Sequence, residues 1–147
     1  MRLKSLICAI LVIIVVYPMG SYISSAAKTP QVAANGIVIS FDKPPILIED
    51  LVYIQLRPLL TQLGWSISWF AESGSIVAVK RETTITFKLN SIFIDVNGLT
   101  YNIGKPVRVE EGSAFFSPQS MADLLGIETV WNSFSSTLHI KSTLSMY

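Results

Sequence analysis

Beyond residue 35, apolar residues recur at every second position in a series of short segments. Ile37, Ile39 and Phe41 open this series, and a period of two is typical of a β-strand with one buried face. Two segments that alternate around a short polar turn predict a β-hairpin over residues 83–96. The same period predicts strands in four further segments, at 65–70, 76–80, 127–131 and 137–141.

Two other segments carry a helical pattern. Met121, Leu124 and Leu125 fall on one face of a predicted helix. Ser117 is placed to cap this helix at its start, and Gly126 to end it in the left-handed conformation. A similar pattern lies 62 residues earlier in the chain. Helices of only two or three turns need a sheet to pack on. The sequence therefore predicts an α+β fold, mostly antiparallel β-sheet with two short helices.

The spacing of single residues predicts an internal repeat. A shift of 62 positions lays residues 35–69 on residues 97–131 without a gap and gives eight identical pairs, where chance would give roughly two. We interpret the domain, residues 35–141, as two tandem repeats of about 50 residues, 35–80 and 97–141. The identical pairs are Asn35/Asn97, Gly36/Gly98, Lys43/Lys105, Pro44/Pro106, Glu49/Glu111, Leu63/Leu125, Gly64/Gly126 and Trp69/Trp131.

Residues 1–27 predict export. Arg2 and Lys4 precede an unbroken apolar run from Leu6 to Tyr17, which is the layout of a secretory signal peptide. The small residues just before Lys28 predict cleavage after Ala27.

An uncleaved membrane anchor is the alternative for this segment. The stretch from Leu6 to Ile23 reaches 18 residues, although a proline and a glycine interrupt it, and a spanning helix needs roughly 20. In either case residues 28–34 are predicted to be a flexible lead and residues 142–147 a tail.

Charge and composition exclude several functions. The chain has 147 residues, with 11 basic and 10 acidic side chains. Without Arg2 and Lys4 nine basic residues remain, so the exported part has no electrostatic reason to bind nucleic acid or an anionic membrane. The lone cysteine, Cys8, lies in the apolar run, and His139 is the lone histidine. We therefore expect no disulfide, no metal site and no cofactor.

Several short motifs follow one another along the chain. They are Pro44-Pro45, Leu56-Arg57 at a helix entry, Leu63-Gly64 at its exit, Trp69 closing a strand, and Val96-Asn97-Gly98. Together they resemble the copper amine oxidase N-terminal domain repeat, also called the stalk domain, over about residues 35–141. The resemblance implies a non-catalytic module of exported bacterial proteins, with an antiparallel sheet around short helices. Gln55, Gln119, Phe70 and Asn132 depart from the family pattern.

Polar side chains offer few candidates for catalysis. His139 lies between two apolar residues of an alternating strand and is predicted to point outward. A serine nucleophile would therefore need a lysine as its base, and no spacing selects such a pair. Glu49-Asp50 and Glu110-Glu111 occupy equivalent positions, where they could act as an acid and base or hold calcium. Adjacent residues of an extended chain point to opposite sides, so the two carboxylates of a pair would not converge on one site. We therefore expect them to be ordinary charged residues of exposed turns.

Aromatic side chains are better candidates for binding. A stacking platform for wall sugars or a peptide could use Trp65, Phe70, Tyr101, Phe115, Phe116, Trp131 and Phe134. However, Trp65, Ile67 and Trp69 share one strand face, so the tryptophans are predicted to lie in the core. Phe70 and Phe134 are predicted to be exposed.

These observations predict an exported, non-catalytic module that acts as a spacer, adaptor or protein-interaction domain at the cell envelope. The expected location is secreted or on the cell surface, with membrane contact only through the N-terminal segment. The expected partner is an envelope protein or a wall polymer, and free strand edges would allow a homo-oligomer. The alternatives are a wall-carbohydrate or peptidoglycan-binding protein, which requires two or more exposed aromatic rings on a concave surface, and an unrecognised small hydrolase.

Overall fold

The computed structural model describes residues 28–143. The predicted signal peptide and residues 144–147 lie outside this range, and no helix within it is long and apolar enough to cross a membrane. In chain order the elements are β1 (Gln31–Ala34), β2 (Ile37–Val38), β3 (Ile46–Ile48), β4 (Leu51–Gln55), α1 (Leu56–Gln62), β5 (Ser66–Phe70), β6 (Ser75–Lys80), β7 (Thr83–Lys88), β8 (Phe93–Val96), β9 (Leu99–Asn102), β10 (Arg108–Glu110), β11 (Ser113–Phe116), a 3₁₀ turn (Pro118–Met121), α2 (Ala122–Leu125), β12 (Ile127–Asn132) and β13 (Thr137–Ser142).

The strands form three sheets. A central sheet has the order β10-β11-β4-β3, and it is accompanied by a five-stranded sheet, β5-β6-β7-β8-β9, and a four-stranded sheet, β12-β13-β1-β2. All strand pairs are antiparallel except β1 with β13. The predicted fold class, α+β with mostly antiparallel sheet and two short helices, is confirmed.

One core connects the three sheets. Ile54 on β4 and Phe116 on β11 are buried opposite each other in the central sheet. The ring of Phe116 meets that of Phe87 on β7 edge-on, with centroids 6.4 Å apart. Leu59 and Leu60 of α1 are completely buried in the same core, and each such leucine contributes about 1.5–3 kcal/mol. The short helix is therefore held by packing rather than by its own stability.

Both helices end as their sequences predict, but the second helix does not begin with the predicted Ser117 cap. Gly126 has a φ of 62° and ends α2 in the left-handed conformation. The backbone at Gly64 has a φ of 84°, just after α1. Ser117 makes no capping hydrogen bond, and its buried Oγ has no partner among the described residues. The predicted cap is absent because this helix opens with a 3₁₀ turn led by Pro118.

The elements follow the 62-residue spacing of the sequence. β3 and β10 have bounds 62 residues apart, as do β6 and β13. β1 and β8 stand in the same relation, although both lie before the predicted repeat starts. The duplication itself stays an interpretation of the sequence.

The predicted flexible lead is wrong for residues 31–34. These residues form β1, whose Val32 and Ala34 are buried between β13 and β2. Ala34 lies opposite Ile140 in a parallel ladder. The local sequence does not indicate a strand here, because small residues are also typical of linkers. The strand that covers residues 31–34, β13, lies about a hundred residues away in the chain. The ordered domain therefore begins four residues earlier than predicted.

Two reciprocal ion pairs connect the halves of the chain. Lys43 pairs with Glu111, with Nζ and Oε2 3.1 Å apart, and Lys105 pairs with Glu49. Lys43 Nζ also donates to the backbone oxygens of Glu110 at 3.2 Å and Glu111 at 2.7 Å. Each lysine thus binds the turn of the other half. We call these two pairs the cross-half latch.

Lys43→Met is expected to lower the free energy of unfolding by about 1 kcal/mol, because Lys43 makes charge-assisted bonds to two carbonyls while only partly exposed. Lys105→Met, its counterpart 62 residues away, loses only an exposed ion pair and should cost less. Urea unfolding of both variants measures the difference. Equal midpoints for the two variants would contradict this role of Lys43.

Candidate functional site

An open groove of about 500 Å³ lies between β5 and the start of β11. Polar groups enter it from the start of α1 and from the loop before β3, while aliphatic side chains form much of its wall. The lining residues that matter below are Asp42, Arg57, Ile67, Trp69, Leu89 and Val109. Because the groove combines a charged group, an indole ring and an apolar wall, its shape and chemistry suit binding.

Trp69 stands at the mouth of the groove because of its place in the sheet. It lies opposite Ile76, so it shares the core-facing side of the five-stranded sheet with Ile76 and Ile67. β5 is an edge strand, however, and 47% of Trp69 is exposed. The prediction that Trp69 lies in the core is therefore wrong, since the strand period identifies a face but not an edge. Trp65 is buried as predicted.

Arg57 is an exposed residue of the groove with no tertiary partner in the described chain. It makes no ion pair and no side-chain hydrogen bond with residues 28–143, whereas its neighbour Gln55 accepts from the Lys43 backbone N–H at 3.2 Å and donates to Ser113 Oγ at 3.3 Å. Gln119 stands 62 residues after Arg57 and accepts a hydrogen bond from the Val52 backbone N–H at 2.8 Å. A guanidinium has no acceptor and cannot make that bond.

The remaining aromatic candidates do not form a platform with Trp69. Phe115 and Phe116 are buried. Phe70 is exposed as predicted, but it follows Trp69 directly on β5 and therefore points to the opposite face of the sheet. Tyr101 lies on β9 at the far edge of the same sheet.

Phe134, also exposed as predicted, lies in the turn between β12 and β13, and Trp131 on β12 is half-buried. Within the described part of the chain, Trp69 is the aromatic side chain that lines the groove. The row of two rings that sugar binding would require is therefore not found there.

His139 points outward from β13, as predicted. It lies in a shallow depression with Glu128, Val130 and Lys141 on the outer face of β12 and β13. Among residues 28–143, no group of three or more histidine, cysteine or acidic side chains is arranged to hold a metal ion.

Three of the lysines that could activate a serine have other partners. Lys80 Nζ donates to the Leu63 backbone oxygen at 2.6 Å and lies 5.9 Å from the centre of the Trp65 ring. Lys43 and Lys105 belong to the cross-half latch. Within residues 28–143, no hydrogen bond joins a lysine Nζ to a serine Oγ.

Three of these four carboxylates lie in turns, as expected, whereas Glu110 is the last residue of β10. Glu49, Asp50 and Glu111 have positive φ values of 48°, 65° and 47°. The hydrogen bond and positive charge of Lys105 lower the pKa of Glu49 below its ordinary value of 4.5, and the same contact raises the pKa of Lys105 above 10.5. Sequence reasoning missed this pairing, although both partners are among the eight identical pairs of the repeat.

A comparison with protein-family models matches residues 33–140 to the copper amine oxidase N-terminal domain. The matched range includes the groove and both ion pairs of the latch. No curated protein matches the chain.

Glu49→Gln is expected to make stability less dependent on pH in acid. A carboxylate whose pKa is lower in the folded state contributes stability above its unfolded pKa and loses it as pH falls through the folded value. The variant should therefore be less stable than the parent at pH 7, and the difference should shrink below about pH 4.5. Urea unfolding across this range, with exposed Glu72→Gln as control, measures the effect. A difference that is constant with pH would contradict the pairing.

Proposed function

Because the chain belongs to the copper amine oxidase N-terminal domain family, we propose that it is an exported, non-catalytic module of the cell envelope. It acts by contact, as a spacer, adaptor or protein-interaction domain. The observation that carries this proposal is the groove in which Trp69 is half exposed and Arg57 has no partner within the described chain.

The side chains of the groove are of the kinds that bind partner proteins. A guanidinium pairs with carboxylates through two parallel hydrogen bonds. An exposed indole offers a large apolar surface that loses little entropy on binding, and aromatic and arginine side chains are common at the energetic centres of interfaces. Arg57 and Trp69 are such a pair in one groove.

The framework supports the same interpretation in a different way. Lys43 and Lys105 hold the two halves together, and Lys80 binds the end of α1 through the Leu63 carbonyl. Their amino groups therefore contribute to architecture. A scaffold whose halves contact each other in this way suits a spacer or adaptor, which must keep its shape while it binds.

Export is part of the proposal and rests on the sequence of residues 1–27. A charged start, an apolar run and small residues before Lys28 suit a secretory signal peptide. The protein would then be secreted or surface-located, or anchored to the membrane if cleavage does not occur.

Export predicts a mature protein that starts at Lys28. Mass spectrometry of the protein recovered outside the cytoplasm is expected to show this N-terminus, because Ser25 and Ala27 satisfy the small-residue requirement of signal peptidase. Ala27→Asp should block cleavage and leave a longer, membrane-bound chain, whereas Lys28→Gln should be cleaved normally. Recovery of the parent chain only from the cytoplasm would overturn export.

Binding to a wall polymer is a second candidate: although the groove lacks a row of two rings, the exposed Trp69 and Asp42 both line it and could hold a single sugar unit. An indole face can stack on a sugar ring while a carboxylate accepts hydroxyl hydrogen bonds. The partner in this case would be peptidoglycan or another wall carbohydrate rather than a protein.

Isolated cell envelopes separate the two candidates. If the partner is a protein, protease treatment of envelopes should abolish binding of the purified chain, and muramidase should not. Trp69→Ala should weaken binding about tenfold or more, while Phe134→Ala, an exposed aromatic control outside the groove, should not. Binding to protein-free wall that Trp69→Ala abolishes would transfer the function to a wall polymer.

A further inference from the structure

We infer that β5 and the adjacent groove bind an extended peptide of a partner protein, which adds a strand to β5 and places an apolar side chain and a carboxylate in the groove. This inference rests on the proposed function, since it names the chemistry of the partner. Three features support it: the free edge of β5, the side-chain face that borders the groove, and the guanidinium of Arg57.

The edge of β5 carries none of the usual protection against strand addition. Natural edge strands are commonly short, charged or interrupted by proline, which prevents pairing with other chains. β10 contains Arg108 and Glu110, β12 contains Glu128, and β2 has two residues. β5 has five residues, Ser-Ile-Ser-Trp-Phe, with no charge and no proline. A peptide can therefore continue its hydrogen-bond ladder.

β9, at the other edge of the same sheet, is also uncharged. The groove distinguishes β5 from β9. Ile67 and Trp69 are groove-lining side chains of β5. Residues of an added strand alternate between the two sheet faces, so every second side chain would lie on the face of Ile67 and Trp69. Those side chains would enter the groove.

The wall of the groove favours a peptide over a sugar. Ile67, Leu89 and Val109 all line the groove, so an apolar side chain that enters it would meet aliphatic groups. A sugar would leave hydroxyl groups against these residues without hydrogen-bond partners. A peptide backbone also carries N–H and C=O groups at the spacing of a strand, so it can form hydrogen bonds with the free backbone groups of β5. A sugar ring has no such regular spacing.

Arg57 supplies the charge preference. Arg57 is exposed and lines the groove, and none of residues 28–143 pairs with its guanidinium, so a carboxylate on the peptide can pair with two of its nitrogens. Asp42 lines the same groove and repels additional negative charge. The site therefore suits a peptide with one carboxylate on the groove-facing side rather than a polyanion.

The comparison with Gln119 shows why the site is confined to one half of the chain. Gln119 uses its side-chain oxygen to bind the Val52 backbone N–H. Arg57, at the corresponding position, has no such bond and leaves its head group available. Arg57→Gln is therefore a substitution that the framework already accommodates at the corresponding position.

The test uses a labelled seven-residue peptide with valine, leucine and aspartate at positions 2, 4 and 6 and threonine at the other four positions. Fluorescence anisotropy of this probe with the purified chain is expected to show saturable binding. Replacing its aspartate with asparagine should weaken binding about tenfold, the value of one charge-assisted contact. Methylating the backbone nitrogens that would pair with β5 should abolish binding.

Matched variants assign the contacts. Arg57→Gln should remove the preference for aspartate while retaining weak binding, and Trp69→Ala should weaken binding of both peptides. Arg81→Gln changes an arginine in the turn after β6 and should have no effect. Circular dichroism and urea unfolding of each variant confirm that the fold is retained. Unchanged binding in Arg57→Gln and Trp69→Ala, or no binding of the probe at millimolar protein, would overturn the inference.

Other outcomes are distinguishable. A dimer by sedimentation equilibrium that Trp69→Ala dissociates would assign β5 to a second copy of this chain and overturn the partner peptide. Displacement of the probe by soluble wall fragments would assign the groove to a carbohydrate. If the probe does not bind while the chain still binds envelopes in a protease-sensitive way, the peptide site at β5 is overturned and the proposed function is not. Loss of envelope binding itself overturns the proposed function.

Discussion

Ile54 and Phe116 face each other across the short ladder that joins β4 to β11. This ladder contains two residue pairs, yet it unites the two halves of the chain in one sheet and places Phe116 against Phe87 of the five-stranded sheet. Each half alone would expose the apolar face of β4 or β11. The pairing therefore joins the two halves in the core, the β1–β13 ladder joins the start of the domain to its end, and the cross-half latch adds contacts at the periphery.

Several residues that are identical in the two halves maintain this framework. Asn35 and Asn97 both have positive φ values, and their side-chain oxygens accept hydrogen bonds from the Ser142 and Thr84 backbone N–H groups, respectively. The shared Gly64 and Gly126 follow the helices with φ values that other residues rarely adopt. Shared residues thus fix turns, helix ends and the latch.

The strand pattern and the family resemblance predicted the fold class because both depend on local order in the sequence. The place of β1 and the exposure of Trp69 depend instead on which strands become neighbours. Val32 is buried only because β13 lies beside it, and Trp69 is exposed only because β5 has no strand on its other side. The groove could not be predicted for the same reason, since its residues come from positions 42 to 114.

Positions where the halves differ supply the features that the framework does not explain. Gln119 accepts a hydrogen bond from the Val52 backbone N–H, whereas the charged Arg57 lines an open groove. Trp69 and Trp131 are identical, yet Trp69 is exposed at the groove mouth and Trp131 is partly buried. The chemistry of the groove in residues 28–143 therefore depends on what differs between the halves, namely Arg57 against Gln119 and the exposed Trp69 against the half-buried Trp131.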